Sequence, residues 1–344
     1  MGMVIARLQA QTDSRRHGLA DMDSSTFPRL VGDVGGTNAR FAWQATAGAA
    51  LSDVTTLPCA DFPALQDAMQ HYLAGHGRGA ARWCAIGIAN PVVGDQVRMT
   101  NHHWSFSIEA VRQLLGLERF LVINDFTALA LSLPALAPDE VRQVGAGQAV
   151  PGAPVGLLGP GTGLGVSGLL PARGIQRAIP INGEGGHVTL AATDALEESV
   201  IRRLRERFGH ASAERALSGP GLVNLYVAVC DVHGVAAQPL EAADVSARAA
   251  TGEDAHCVQA IELFFGFLGN VAGNLALSLG ARGGVYIGGG IVPRLGNAID
   301  HSRFRERFEA KGRFASYLQA IPTLVVQARV SPALLGAARA LDDL

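Results

Sequence analysis

The sequence predicts an α/β fold of two domains with largely parallel sheets. Its 344 residues are enough for about two domains. Short apolar stretches typical of buried strands alternate along the chain with stretches that have the apolar spacing of helices. A strand, a glycine-rich turn and a second strand occur near the start of each half, at residues 30–43 and 155–170. This repetition indicates an internal duplication.

A cluster of four prolines predicts a domain boundary between residues 134 and 154. Residues 1–28 contain charged and small polar residues without the apolar core of a signal peptide, and we expect them to form a disordered leader. The predicted strands lie at residues 40–43, 83–89 and 120–123, and the predicted helices at residues 62–74, 108–115, 126–133, 196–208 and 258–279.

The most informative segment is a glycine-rich turn after the first apolar strand. It contains Asp33, Gly35, Gly36, Thr37 and Asn38. Successive backbone N–H groups in such a turn can form a concavity for an anion, and glycines allow the backbone to approach a ligand closely. Asp33 is placed to hold a cation or its waters, so the segment predicts a metal–nucleotide site. An ordinary β-hairpin with Asp33 as a polar strand residue fits the same pattern.

A second turn of this kind contains Gly161, Thr162 and Gly163, again between two apolar strands. Residues 163–168 match G-x-G-x-x-G, but a dinucleotide fingerprint must open a helix, and these residues read as the return strand of a hairpin. The chain has one lysine, Lys311, so neither turn carries the lysine of a P-loop. Any phosphates would therefore be held by backbone amides, threonine hydroxyls and a metal.

A third short apolar strand ends in Gly288, Gly289 and Gly290. A flat group such as a nucleobase or ribose could lie against this bare backbone.

The catalytic candidate is Asp125, which follows an apolar strand and Asn124. Open α/β sheets bind ligands at the carboxyl ends of their strands. Phosphoryl transfer needs a base near the acceptor hydroxyl, and Asp125 could be that base while Asn124 bonds a neighbouring hydroxyl. From these residues alone, Asp125 as the N-cap of the following helix is the better-supported alternative.

Further polar candidates follow in the second half. Glu184 and His187 lie three residues apart in a glycine-rich loop, which suits hydrogen bonds to vicinal hydroxyls. No cysteine lies near them, which argues against zinc. Glu214 has helical spacing, and a solvated helix residue paired with a nearby arginine is a strong alternative to a role in the site. Residues 100–104 (Thr-Asn-His-His-Trp) fit a sugar-binding wall or an ordinary loop.

Composition narrows the class of protein. The net charge is −2, and no basic run or basic aromatic face indicates a nucleic-acid partner. The four cysteines are scattered, which is typical of reduced thiols in a cytosolic protein. No apolar run approaches the roughly 18 residues of a membrane span, so no membrane partner is predicted.

Seven motifs in order resemble the bacterial ATP-dependent glucokinase family, of the hexokinase–actin–Hsp70 superfamily. They lie at residues 32–40, 99–104, 123–126, 159–165, 183–187, 212–226 and 288–294, and the resemblance covers about residues 29–344. The leader is the main departure from the family pattern.

The resemblance implies a two-domain actin-like (ribonuclease H-like) fold with an interdomain cleft. It implies a small domain at residues 29–136, completed by a C-terminal helix at about 330–344, and a large domain at residues 137–329. It also implies a cytoplasmic homodimer that uses ATP and Mg²⁺ to phosphorylate the 6-hydroxyl of glucose.

By residue, the resemblance assigns glucose binding to Asn124, Asp125, Glu184, His187 and Glu214, with Asp125 as general base. It places Asp33, Gly35, Gly36, Thr37, Asn38, Gly161, Thr162 and Gly163 on the phosphates, with Asp33 on Mg²⁺ through water, and Gly288, Gly289 and Gly290 near the adenosine.

Two other functions compete with a glucokinase. One is a kinase of another hexose or of an N-acetylhexosamine; relatives of that kind carry a zinc-binding cysteine cluster, which this sequence lacks. The other is a non-catalytic sugar sensor, which would need a helix-turn-helix that residues 1–28 are too short to supply. The motifs do not distinguish ATP from ADP or polyphosphate as donor, nor do they indicate the strictness for glucose, an allosteric effector or a role of the leader.

Overall fold

The computed structural model describes residues 26–100, 102–172, 177–328 and 330–342. They form two compact units: residues 26–133 with 331–342 make the first, and residues 134–330 make the second. The predicted leader lies outside the described residues except for residues 26–28, of which Phe27 is buried.

Strands and helices are numbered here in chain order. The strands are β1 (Arg29–Val34), β2 (Asn38–Gln44), β3 (Ser52–Pro58), β4 (Trp83–Ile88), β5 (Gln96–Arg98), β6 (Ser105–Ser107), β7 (Arg119–Asn124), β8 (Val141–Val144), β9 (Val155–Pro160), β10 (Leu164–Leu170), β11 (Ile179–Asn182), β12 (Val285–Ile287) and β13 (Thr323–Val326). The helices are α1 (Leu65–Gly75), α2 (Ile108–Leu114), α3 (Asp125–Ser132), α4 (Ala195–Phe208), α5 (Gly219–His233), α6 (Ala242–Thr251), α7 (Ala255–Leu279), α8 (Ile291–Arg294), α9 (Phe304–Glu309), α10 (Ala315–Gln319) and α11 (Pro332–Asp342).

The first unit is built on a five-stranded sheet in the order β3-β2-β1-β4-β7. Strands β1, β4 and β7 are parallel, and β2 and β3 continue the sheet antiparallel to their neighbours. Helices α3 and α11 pack against each other so closely that a methyl group at Gly336 would overlap the carbonyl oxygen of Ala128. The carboxyl ends of the parallel strands place Asp33 and Asn124 at the same edge of the sheet.

The second unit is built on a six-stranded sheet in the order β11-β10-β9-β12-β13-β8. Strands β9, β12 and β13 are parallel, whereas β10, β11 and β8 are antiparallel to their neighbours. Apart from β8, this sheet repeats the order and directions of the first sheet, as the internal duplication predicts. Its glycine-rich turn therefore occupies the same topological place as the turn after β1.

Helix α7 is the central helix of the second unit. It is long and apolar enough to cross a membrane by length and composition alone, but most of its apolar window is buried inside the protein. Its glycines allow α9 to approach: a methyl group at Gly269 would overlap the carbonyl oxygen of Phe304. The helix predicted at residues 258–279 is therefore present, and its packing is that of a core helix rather than of a membrane span.

Candidate active site

The first glycine-rich turn joins β1 to β2 as a hairpin, so the hairpin alternative describes its backbone correctly. The N–H of Gly35 donates to the carbonyl oxygen of Asn38 at 2.9 Å, and the carbonyl oxygen of Thr37 accepts from the N–H of Cys59 at 2.8 Å. Neither Gly35 nor Gly36 has a positive φ. The glycines thus leave the backbone bare for a ligand rather than supply an unusual conformation.

Asp33 is half-buried beside this turn and contacts Arg40. The two residues are directly paired across β1 and β2, and Nη1 of Arg40 lies 3.3 Å from Oδ2 of Asp33. A cation is therefore already present next to this carboxylate.

Asp125 is the first residue of α3, and the structure corrects its expected role as N-cap. The cap is Asn124, whose Oδ1 accepts from the N–H groups of Phe126 at 2.9 Å and Thr127 at 3.2 Å. Oδ1 of Asp125 also accepts from the N–H of Phe126, at 2.9 Å. Asn124 therefore closes the helix end, and Asp125 supplies a second acceptor for the N–H of Phe126.

A glycine lets Asp125 lie close to the sheet. A methyl group at Gly87 in β4 would lie 3.1 Å from Cβ of Ala128 and 3.4 Å from Cα of Asp125. Burial, followed by the negative charge of Asp33, raises the pKa of Asp125 to about 7. A carboxylate with this pKa is only partly ionised at neutral pH and is suited to accept a proton there.

Asn90, which follows β4 and was not among the predicted site residues, contacts two of the predicted segments. Its carbonyl oxygen accepts from Nδ2 of Asn124 at 3.5 Å, and its Oδ1 accepts from the N–H of Thr100 at 3.1 Å. It links the segment at residues 100–104 to the catalytic candidates. The signal that could have found it was its position directly after β4, on the edge that carries Asp33 and Asn124.

The segment at residues 100–104 is mainly structural where it is described; Asn101 lies outside the described residues. Trp104 is buried, and its Nε1 donates to the carbonyl oxygen of Phe62 at 3.0 Å. The His102 and His103 rings lie 4.2 Å apart, and burial lowers the pKa of His102. Because the Trp104 side chain is buried and bonded to backbone, it is a core residue rather than a wall of a sugar site.

The second glycine-rich turn joins β9 to β10 and is held from two sides. The N–H of Gly161 donates to the carbonyl oxygen of Gly163 at 2.8 Å, and the carbonyl oxygen of Gly161 accepts from the N–H of Gly219 at 2.8 Å. Gly219 begins α5, so the amino end of this helix is fixed against the turn.

The third glycine segment, Gly288 to Gly290, packs on β9, the strand that leads into the second turn. The N–H of Gly288 donates to the carbonyl oxygen of Leu158 at 2.8 Å. Gly289 has a φ of 74°, and a methyl group there would overlap the carbonyl oxygen of Pro160. Only a glycine fits here, and this close packing brings the predicted adenosine turn next to the predicted phosphate turn.

Glu184 and His187 lie in an exposed loop that turns through residues 185–187 against β10. Within the part of the chain that the structure describes, neither side chain has a protein hydrogen-bond partner. The loop itself is fixed, because a methyl group at Gly185 would lie 2.7 Å from Cγ1 of Val166, and one at Gly186 would overlap the carbonyl oxygen of Leu164. Free polar side chains on a fixed backbone suit a ligand.

Glu214 is half-buried in a short 3-10 turn, Ala213–Arg215. Its Oε2 accepts from the N–H of Leu164 at 2.8 Å. Among the described residues Glu214 has no arginine partner, so the alternative of a solvated helix residue paired with an arginine is wrong. Its carboxylate is bonded to backbone at the second turn, and its assignment to glucose stays a prediction.

The structure thus brings the predicted residues together in two groups, each within one unit. Asp33, the turn after β1, Asn124 and Asp125 form the first. The second contains residues 161–163, 184, 187, 214 and 288–290. The ligand assigned to each residue stays a prediction.

No group of three or more His, Cys, Asp or Glu side chains able to hold a metal occurs within residues 26–100, 102–172, 177–328 and 330–342. Magnesium is usually held by one or two carboxylates together with substrate phosphates and waters. A single carboxylate such as Asp33 beside a phosphate-sized turn fits that kind of site. All four cysteines are free and buried, and among the described residues they form no group of three or more metal-ligating side chains such as a zinc cluster needs.

Two sheets of the same topology, each with a glycine-rich turn between its first two strands, define the actin-like class of two-domain α/β proteins, and the predicted fold class is confirmed. The sequence model of the Glucokinase family matches residues 30–344. The chain belongs to the glucokinase family.

Individual relatives agree with this assignment. A glucokinase of Aromatoleum aromaticum is 56% identical over 93% of this chain and 96% of its own length. One of Chromobacterium violaceum is 53% identical over 92% of this chain and 90% of its own length. The crystal structure of a glucokinase from an Antarctic psychrotroph superposes with a TM-score of 0.84 at 38% identity, and covers 92% of this chain and 99% of that one.

Proposed function

We propose that the protein is an ATP-dependent glucokinase, which transfers the γ-phosphoryl group of ATP to the 6-hydroxyl of glucose and releases glucose 6-phosphate and ADP. The observation that carries this proposal is Asp125, a half-buried carboxyl fixed at the start of α3 with a pKa of about 7. Membership of the glucokinase family supports the choice of sugar and donor.

Asp125 acts as the general base in this proposal. One carboxylate oxygen stays bonded to the N–H of Phe126, which fixes the orientation of the group. The other carboxylate oxygen accepts the proton of the 6-hydroxyl group while the hydroxyl oxygen of glucose attacks the γ-phosphorus and ADP leaves. Positioning of this kind is most of what phosphoryl transfer requires of a protein.

The phosphates of ATP are assigned to the turns at residues 33–38 and 161–163, and the adenosine to residues 288–290. Mg²⁺, held by Asp33 through water, would neutralise charge on the phosphates when bound. Because the chain has a single lysine, the backbone N–H groups of these turns replace the lysine that other kinases use.

Glucose is assigned to Asn124, Asp125, Glu184, His187 and Glu214. The carboxylate of Glu184 and the imidazole of His187, which have no protein hydrogen-bond partner among the described residues, support this assignment, since a loop whose backbone is already fixed loses little backbone entropy when its side chains bind hydroxyl groups.

A coupled assay with purified protein tests the proposal. Glucose, mannose, fructose and N-acetylglucosamine are each supplied with ATP, ADP or polyphosphate, and the Asp125→Asn variant is the matched control. The proposal expects the highest kcat/KM with glucose and ATP. A higher value with another sugar would assign the chain to that hexose, and glucose binding without turnover in any combination would favour a sensor.

A cytoplasmic homodimer is part of the same proposal. Family membership supports it, and size-exclusion chromatography with light scattering tests it. The proposal expects a mass twice that of the 35.8 kDa chain, and a monomer at micromolar concentration would contradict it.

A further inference from the structure

One carboxylate in the second unit contacts a residue of the predicted nucleotide turn directly. Oε2 of Glu214 accepts from the backbone N–H of Leu164, which immediately follows residues 161–163. A hydrogen bond to an ionised acceptor is among the stronger bonds in a protein, and losing it would leave this N–H without its acceptor. The carboxylate therefore fixes the return side of the turn.

The same carboxylate oxygen fills the space beside Gly163. A methyl group built on Gly163 would overlap Oε2 of Glu214, whereas one built on Gly161, two residues earlier, would have nothing within 4 Å. Neither glycine has a positive φ, so alanine is compatible with the backbone at both positions. The absence of a side chain at Gly163 is what allows Glu214 to reach the turn.

Glu214 is also joined to the predicted sugar loop. The N–H of Ala213 donates to the carbonyl oxygen of Val188 at 2.9 Å, and the N–H of Leu190 donates to the carbonyl oxygen of Ala211 at 2.9 Å. These bonds pair the segment that carries Glu214 with the segment that follows His187. A shift of this carboxylate is therefore constrained by the sugar side and by the nucleotide side together.

We propose that Glu214 couples the two substrates: it binds a sugar hydroxyl while it positions the turn at residues 161–163 for the phosphates. The proposal rests on the assignment of Glu214 to glucose in the proposed function. A sugar that fixes the carboxylate also fixes the Leu164 N–H and the turn beside it. Because coupling between two ligands is reciprocal in binding free energy, a nucleotide that fixes the turn must alter glucose affinity by the same factor. A change that displaces the Glu214 carboxylate from the turn must then alter glucose affinity, whereas a change in the turn that leaves the carboxylate in place does not.

The first experiment compares Gly163→Ala with Gly161→Ala. Glucose binding is measured by isothermal titration calorimetry without nucleotide, so that contacts with ATP do not contribute. The methyl group at residue 163 displaces the Glu214 carboxylate, and loss of a hydrogen bond to a charged group weakens glucose binding by about 10-fold to 100-fold. The same change at residue 161 leaves the glucose Kd at its wild-type value.

The folded state should survive in both variants. The atom that must move for Gly163→Ala is the free end of a flexible side chain rather than backbone, so the melting temperature changes little. An equal glucose Kd in Gly163→Ala and the wild type would overturn the coupling while the proposed function stood. Equal weakening by both variants would also overturn it, since turn rigidity rather than the carboxylate would then be the cause. A wild-type protein that binds no glucose would refute the proposed function, and the coupling with it.

A second experiment approaches the coupling from the sugar side. Glu214→Ala, Glu214→Gln and Glu184→Ala are compared by their KM for ATP at saturating glucose. Glu214→Ala removes the acceptor of the Leu164 N–H and raises the KM for ATP several-fold, whereas the amide oxygen of Glu214→Gln can still accept that bond and restores the KM. Glu184→Ala weakens glucose but leaves the KM for ATP unchanged. A KM for ATP that Glu214→Ala does not alter would overturn the proposal.

Discussion

Replacing Asp125 by asparagine separates its chemical role from its structural one. The amide keeps the size of the side chain and can still accept from the N–H of Phe126 through its oxygen. Since Asn124 is the N-cap of α3, the helix end loses nothing. What disappears is the ability to take a proton, and we expect kcat to fall by about 10²-fold to 10⁴-fold, the usual contribution of a general base.

The pH dependence gives a second readout. The pKa of Asp125 is raised to about 7, so kcat/KM of the wild type should rise about tenfold per pH unit below that value and level off above it. The residual activity of Asp125→Asn should lack this acidic limb. Both profiles are measured with the coupled assay at saturating Mg-ATP.

Stability should respond with a defined sign. The pKa of Asp125 in the folded protein exceeds its usual value of 3.8, so the folded state binds more protons than the unfolded state between about pH 4 and pH 7. Wild-type stability therefore falls as pH rises through this window. The uncharged asparagine avoids the loss, and Asp125→Asn should be the more stable protein at pH 8, by at most about 4 kcal/mol because partial exposure reduces the effect.

The control for both measurements is Asp61→Asn, the same change at an exposed aspartate of the same unit. It should leave kcat and the pH dependence of unfolding as in the wild type. Urea unfolding without Mg²⁺ at pH 5 and pH 8 measures the stability difference. Wild-type turnover in Asp125→Asn, or an acidic limb that persists in it, would refute the general-base argument.

Three further changes test individual parts of the structure. Asp33→Ala should weaken the use of Mg-ATP more than glucose binding, and an Mg²⁺ dependence of the rate that does not change would contradict its role. Asn124→Ala removes the N-cap of α3 and should lower the free energy of unfolding, measured with urea, by about 0.5–2 kcal/mol. An unchanged free energy of unfolding would contradict the capping role. Gly336→Ala should cost about 1–3 kcal/mol because its methyl group overlaps the carbonyl oxygen of Ala128, while the control Gly75→Ala, in open space near a helix end, should not destabilise the protein.

The sequence predicted those elements whose apolar pattern is local. The helix expected at residues 196–208 is Ala195–Phe208, and the strand expected at residues 120–123 lies within Arg119–Asn124. Helix α5 was missed because it begins Gly-Pro-Gly, a pattern typical of a turn. In the structure Ser218 caps it, accepting from the N–H of Gly221 at 2.9 Å. The cap is recognisable only when the glycines are read as the first helical turn.

The candidate residues were found from sequence, but their contacts were not. Asp125 could be chosen because it follows a buried strand, yet its raised pKa depends on burial in the fold and then on Asp33, 92 positions earlier along the chain. The bond from Leu164 to Glu214 likewise joins residues 50 positions apart. Contacts of this kind depend on how the sheet and its connections fold, which no local pattern contains.

The two glycine-rich turns obtain their carboxylates in different ways. In the first sheet Asp33 is part of β1, next to its last residue, and is paired with Arg40 on the adjoining strand. In the second sheet the matching position, next to the last residue of β9, is Gly159, and Glu214 is supplied from a separate 3-10 turn. The side chain of Asp33 is short, extends from a strand paired on both sides and contacts Arg40, whereas the longer side chain of Glu214 has one more rotatable bond through which its carboxylate can shift. The second carboxylate is therefore the one able to respond to a bound sugar, which is why the coupling of the two substrates is assigned to Glu214 and not to Asp33.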